Sequence, residues 1–351
     1  MAGFDPDAPA APSSGLFGLD CAAADSKAHV LGVPFDATAS FRRGAAGAPG
    51  AVLAASHQVE LFDLDSGKPH ERGIHMHAVD PRLATLNEEA RRLVDTARAQ
   101  GERAKSERER VNAIGVEVNH LVGTAVEAAL NSQRLPAVLG GDHSVAFGAI
   151  SAAARRHTGL GVLHFDAHAD LRPAYEGFEW SHASVFHNLL GRSSDVAALV
   201  QVGVRDVSEG ELSYIRSSRE RVKTLFDRDW RDAGYAGIDR RALVREWIAR
   251  LPDEVWISFD IDCLDPSLCP NTGTPVPGGL TWHDARLWLG EIARSNRRVV
   301  GVDLCEVNPG PTPCTSSDAL VAARLLYALL GCALKSGERA VERGQTKTRQ
   351  V

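Results

Sequence analysis

No stretch of about 18 consecutive apolar residues occurs in this sequence, so no membrane-spanning helix is expected. There is no basic surplus either. The formal net charge of -6 argues against a general nucleic-acid binder, which needs a basic face. The opening stretch, MAGFDPDAPAAPSSG, lacks a basic segment followed by an apolar one and does not read as a secretory signal. Cys21, Cys263, Cys269, Cys305, Cys314 and Cys332 contain no CxxC pair, so free thiols and a cytoplasmic location are expected rather than a disulfide frame. Neither an internal repeat nor a long flexible linker is visible. The expectation is a tail or arm over residues 1–25 and one catalytic domain over 26–351.

What is present is ordinary globular material, 44% hydrophobic and 24% charged over 351 residues. Short apolar runs alternate with helical patterns. HVLGVPF (29–35), PAVLG (136–140), GVLHF (161–165), LVQVGV (199–204), VWISFDI (255–261) and RVVGVDL (298–304) read as strands. From about Leu86 to Leu130 apolar residues recur at helical steps, with Gly101 as a candidate break. LFDLDSGKPHERGIHMHAVD is loop-like with room for an edge strand. Buried strands alternating with helices predict an α/β fold with a parallel sheet covered on both faces.

In such folds ligands bind beyond the carboxyl ends of the strands. PAVLG leads into Asp142 and His143, GVLHF into Asp166, His168 and Asp170, and VWISF into Asp260, Asp262 and Asp265. RVVGVDL leads to Glu306. In HFDAHAD (164–170) the three polar residues alternate, so an extended backbone points them the same way. Singly, each motif has a structural explanation: GDHS as a helix cap, DPS as a turn, DID as polar strand-end residues. Jointly, carboxylates gathered on one rim repel and are costly to desolvate unless a cation compensates them. Asp166, Asp170, Asp260 and Asp262 with His143 and His168 exceed the needs of one tetrahedral zinc. They suit two divalent ions of the manganese type, with nickel or cobalt as alternatives. Such a pair can hold water as hydroxide near neutral pH for hydrolysis of an unreactive electrophile.

GGDHS (140–144), DAHAD (166–170), SFDIDCLDP (258–266) and EVNP (306–309) together resemble the ureohydrolase superfamily of arginases, agmatinases and related amidinohydrolases. The resemblance runs from about VPFDA (33–37) to the C-terminal helix. It implies a three-layer αβα sandwich around a mostly parallel sheet of about eight strands. It makes His143, Asp166, Asp170 and Asp260 ligands of one manganese, and Asp166, His168, Asp260 and Asp262 ligands of the other. Glu306 matches the glutamate that pairs with the guanidinium, and His182 matches in position a loop histidine proposed as a proton shuttle; a plain surface histidine is its alternative. Asp142 and Asp265 are expected to orient ligands or turns. A homotrimer or homohexamer is implied, with a hetero-oligomer containing a related subunit as the variant. The implied reaction cleaves a guanidino or amidino C–N bond, releasing urea or a substituted urea and an amine.

Substrate choice is less legible. Arginases typically carry Asn two positions after the last aspartate of DAHxD, where this chain has Arg172. Arg there resembles formimidoylglutamases, although His182 does not. Arg172 is either a substrate contact or an ion-pair partner of Glu176 or Glu179. Tyr175, Phe178 and Trp180, with Cys263 in place of a usual glycine and Cys305 beside Glu306, suggest an apolar pocket wall; simple core packing is the alternative for the cysteines. Such a wall would suit an alkylated guanidine or biguanide. Tyr175 and Trp180 are accordingly candidate substrate contacts. A metallophosphoesterase is disfavoured by the absence of GNHE and GHxH elements. The zinc deacetylases of related fold do not keep the full ligand set for two ions. A non-catalytic subunit is disfavoured because every predicted ligand is present. The agmatinase-like branch, acting on a small cationic substrate, is the expectation.

Overall fold

The computed structural model describes residues 4–11 and 13–348. Its strands are β1 (Ala28–Gly32), β2 (Ile74–Met76), β3 (Leu135–Leu139), β4 (Leu160–Phe165), β5 (Val196–Val204), β6 (Val222–Phe226), β7 (Glu254–Asp260) and β8 (Arg298–Cys305). They form one 8-stranded sheet in the order β2-β1-β3-β8-β7-β4-β5-β6. Every pairing is parallel. β4, β7 and β8 are mostly apolar on both faces of the pleat and buried nearly throughout, as a doubly covered parallel sheet requires.

The helices are α1 (Ala48–Ser56), α2 (Pro81–Gln100), α3 (Lys105–Asn131), α4 (Ala146–Arg156), α5 (Val185–Arg192), α6 (Glu209–Ser217), α7 (Asp227–Tyr235), α8 (Arg240–Ile248), α9 (Trp282–Arg294) and α10 (Ser317–Thr348). One core cluster joins α1, α7, α8, α9 and α10 to the sheet, and a second joins α2 through α5 to the other face. The result is the αβα sandwich anticipated from the sequence.

The long helical pattern after residue 80 divides at Gly101, whose φ of 60° lies in the left-handed region that ends a helix without a Cβ penalty. Asp80 starts α2 by accepting the Arg82 N–H. β6 was not legible. Its Lys223 and Thr224 interrupt the apolar run, as an edge strand half in contact with solvent allows.

Residues 317–340 of α10 have the length of a membrane-crossing helix and contain an 18-residue window with a mean hydropathy of 1.6. Yet 72% of that window is buried inside the fold, so its apolarity is that of a core helix. The N-terminal arm is partly docked. Leu16, Phe17 and Leu19 are buried, Phe17 meets the Tyr327 ring at 4.8 Å, and its N–H donates to Ser56 Oγ at 2.8 Å.

Candidate metal centre

The four adjacent central strands β3, β8, β7 and β4 end on the same rim. Past β3, the Gly140–Gly141 turn packs against the VPFDA segment; a Cβ on Gly141 would lie 1.9 Å from Phe35 O. That close approach allows Gly141 N–H to bond Val33 O and Asp142 N–H to bond Phe35 O, both at 2.8 Å. His143 is thereby delivered to the rim.

His143 Nδ1 faces Asp170 Oδ2 at 3.0 Å, Asp166 Oδ2 at 3.1 Å and Asp260 Oδ2 at 3.5 Å. His168 Nδ1 faces Asp262 Oδ2 at 3.1 Å and Asp166 Oδ1 at 3.4 Å. Donor atoms about 3 Å apart have the spacing of neighbouring ligands about 2.1 Å from one ion. Asp166 is divided between the two groups, one carboxylate oxygen toward each histidine. The side chains also lock each other: His168 N–H donates to Asp166 Oδ1, Ala167 N–H to Asp262 Oδ1, and Asp262 N–H to Asp260 Oδ1.

The electrostatics of these groups fit a bound cation. Burial, then repulsion from Asp166, pushes Asp170 up to about 7. Burial and the neighbouring acids Asp262, Asp166 and Glu306 push Asp260 well above the usual carboxylate range. Glu306 is raised in the same way, by burial and by Asp142. Asp166 goes the other way: burial would raise it, but hydrogen bonds to His143, His164 and His168 hold it well below its ordinary value. A buried, oxygen-rich donor set that repels itself is what a divalent pair would neutralise.

Behind the rim, His143 Nε2 lies 2.9 Å from Ser258 Oγ. That hydroxyl donates to Asp303 Oδ1 at 2.8 Å, and Trp256 Nε1 donates to Asp303 Oδ2 at 2.6 Å. With its hydrogen spent on Asp303, Ser258 accepts from His143 Nε2–H, which leaves the Nδ1 lone pair toward the carboxylates. Asp303, Ser258 and Trp256 went unnoticed in the sequence because their strand pattern reads as core. His164 did as well, although it opens HFDAHAD.

Glu306 has φ of 61°, an uncommon value for a non-glycine residue. Thr272 Oγ1 donates to its carbonyl at 2.9 Å, and its Oε1 accepts the His143 N–H at 3.0 Å. Oε2 remains beside Gly273, where a Cβ would come within 2.9 Å of it. Asp142 accepts from Thr38 Oγ1 and Ser144 N, each at 3.1 Å, and burial raises it to about 6. Thr38 Oγ1 in turn accepts the His182 N–H at 3.3 Å, coupling the Asp142 turn to the His182 loop. Asp265 caps its own turn through Ser267 N–H at 2.9 Å.

A cavity of about 420 Å³ opens over the centre, lined by His168, Asp170, Arg172, Tyr175, His182 and Asp206 among others. Burial, then the charges of His168 and His143, push His182 down to about 4, so its ring is neutral at pH 7. Its Nε2 is 3.5 Å from Ser40 Oγ.

The structure redistributes several sequence-predicted contacts. Arg172 is 3.7 Å from Glu211, whereas Glu176 pairs with Arg98 and Glu179 with Arg192. Trp180 does not line the cavity. Its indole covers Gly115 of α3 and meets Phe147 at 4.7 Å, because that helix offers a glycine gap wide enough for it. Phe178 is buried beside α2 and α3. Cys263 packs over Gly203 and Cys305 against Gly140, both fully buried. Only Tyr175 of the expected apolar wall reaches the cavity, with Arg172 over its ring at 5.2 Å.

The sequence profile described as the arginase family matches residues 26–332. This chain belongs to the arginase family. It is 34% identical over 309 residues to the N(1)-aminopropylagmatine ureohydrolase of Thermus thermophilus, covering 88% of this chain and 90% of that one. It is 31% identical over 308 residues to the proclavaminate amidinohydrolase of Streptomyces clavuligerus, covering 85% and 86%. The solved structure of the latter enzyme superimposes with a TM-score of 0.72 over 94% of this chain and 99% of that one, at 24% identity, a likeness of fold. Family membership implies a dinuclear divalent-metal site, and the His/Asp cluster described above could hold it.

Proposed function

We propose that this arginase-family chain hydrolyses the guanidino C–N bond of an aminoalkylguanidine, of the agmatinase-like class. The reaction is R–NH–C(NH2)2+ plus water giving R–NH3+ and urea. The observation that carries the reading is the division of Asp166 between the His143 and His168 groups, directly beneath the cavity. His143, Asp166, Asp170 and Asp260 would hold one divalent ion, and Asp166, His168, Asp260 and Asp262 the other, with manganese the expected metal. When bound, the pair supplies a water acidified enough to act as a nucleophile at neutral pH.

The chain's own groups do the rest. Glu306 Oε2, kept open by Gly273, receives the guanidinium N–H groups and neutralises its charge. The left-handed backbone at Glu306 and the bond from His143 N–H fix where that carboxylate points. His182, neutral beside the cavity, can pass a proton between solvent and the departing amine without placing a second positive charge next to the substrate.

The far end of the substrate is read by charge. Arg172 is matched by Glu211 and Arg42 by the Pro270 carbonyl at 2.8 Å, whereas the exposed Asp206 carboxylate at the cavity lining stands ready for a distal ammonium. A carboxylate-tailed substrate such as guanidinobutyrate or formimidoylglutamate is the second reading, favoured by the presence of Arg172 in the lining. The test is urea and amine release from the Mn- and Ni-loaded chain with agmatine, longer aminoalkylguanidines, arginine, guanidinobutyrate, alkylated biguanides and formimidoylglutamate. Turnover of cationic-tailed guanidines is expected. Release of neither urea nor amine from any substrate with either metal would overturn the hydrolase reading. Preference for carboxylate tails would overturn the role of Asp206.

A further inference from the structure

The β2 edge of the sheet carries a group of histidine side chains outside the cavity described above. His29 on β1 pairs in register with His75 on β2, and His77 follows two residues later, so all three project from one face. We propose that His29, His75 and His77 bind a single borderline transition dication, of the zinc or nickel type, which ties the edge strand to β1.

The tautomers favour a ligand role. His29 Nε2 is 3.0 Å from Ala23 O, and His75 Nδ1 is 2.7 Å from Cys21 O. A carbonyl only accepts, so both nitrogens carry hydrogen, and lone pairs are left on His29 Nδ1 and His75 Nε2. Anchoring one ring nitrogen on a backbone carbonyl is the usual way a metal-ligating histidine is held. His77 Nε2 lies 3.0 Å from His29 Nδ1. Two nitrogens at that separation are neighbouring ligands of an ion about 2.1 Å from each, at an angle of about 90°. An ion there replaces the shared hydrogen, and His77 changes tautomer with no change of ring charge.

The ring centroids are 4.6 Å apart for His29 and His77, 4.7 Å for His75 and His77, and 6.1 Å for His29 and His75. These values bracket the roughly 5 Å expected for imidazoles around one tetrahedral ion. His75 meets His77 edge to face at 86°. The three rings' nitrogens do not all stand at ligand spacing as they are, so binding requires the His75 ring to turn its Nε2 edge toward the other two while Nδ1 keeps its bond to Cys21 O. A cavity of about 350 Å³ borders His29 and His77 and leaves room for an exchangeable fourth ligand. Three neutral imidazoles without a first carboxylate select zinc, nickel or copper over manganese and magnesium, in contrast to the carboxylate-rich centre.

The test uses the untagged full chain carrying His143→Ala and Asp262→Asn, which takes one ligand from each rim group, weakens metal binding there and separates this site from the proposed hydrolase. After equilibrium dialysis against Zn2+, metal analysis is expected to find about one equivalent per chain. Adding His29→Gln, His75→Gln and His77→Gln should lower it at least tenfold. Zinc content unchanged by those substitutions, in protein with native far-ultraviolet circular dichroism, overturns the site. Should the triple substitution unfold the chain, Cu2+ spectra of the parent with its histidines intact decide: several coupled imidazole nitrogens support the site, and their absence overturns it.

Discussion

His164 Nε2 lies 2.9 Å from Asp166 Oδ2, and its other ring nitrogen is 3.1 Å from Gln201 Nε2. The Gln201 amide also donates to Ala169 O at 2.8 Å while its carbonyl accepts from Thr224 Oγ1 at 2.8 Å. This chain of bonds makes His164 a donor to Asp166 and fixes the carboxylate that faces both histidine groups. Burial lowers His164, so the ring acts as a neutral donor. His164→Ala is expected to weaken metal binding by about 10- to 100-fold, with His164→Asn recovering part of it. Titration of the stripped chain with Mn2+ would measure this, and unchanged affinity would refute the positioning role.

Glu306→Gln keeps an oxygen for the His143 N–H but loses the negative charge that faces the guanidinium. The rate constant kcat/KM should fall by about 100-fold or more, while metal content stays intact. The melting temperature should hold or rise, since burial among acids already raises the Glu306 carboxyl. Kinetics and thermal melts on the same preparation separate the two effects.

Removing the metals should reverse the pH dependence of stability. In the stripped chain Asp170 titrates at about 7, above its unfolded value, so its ionised form destabilises the fold at higher pH. His143 and His168 are raised, because hydrogen bonds and charges from Asp166, Asp170 and Asp262 outweigh burial; the stability they add is lost as pH rises. Both signs agree. Stripped protein should melt at higher temperature as pH falls from about 8 to about 6, and metal-loaded protein should not. Melting curves with and without chelator test this.

Gly141→Ala should be disruptive although the new side chain is one methyl. Its Cβ would meet Phe35 O at 1.9 Å, so the turn that delivers His143 must move. A loss on the order of 3 kcal/mol is expected, together with lost metal. Chemical denaturation and metal analysis provide the check. A stable, fully loaded variant would show that the turn tolerates displacement.

The alternation of short apolar runs with helices made the doubly covered parallel sheet legible, because burial on both faces leaves β4, β7 and β8 mainly apolar, with the few polar exceptions hydrogen-bonded near the rim. The metal residues were legible for a local reason too: acids and histidines stand where those strands run out. β6 was not, since an edge strand keeps polar residues such as Lys223. Trp180 and Phe178 looked like pocket residues because their loop follows the metal motif, yet side-chain direction there depends on where α3 offers space.

The sequence alone determined the layered fold class, the set of candidate ligands and the glutamate beside them, because each rests on local pattern and spacing. Tertiary structure decided which carboxylate oxygen faces which histidine, which buried groups brace them, and that Arg172, in the loop after β4, meets Glu211 of α6. Those are contacts between residues distant in the chain, set by packing across the sheet and helices. No periodicity along the chain encodes them.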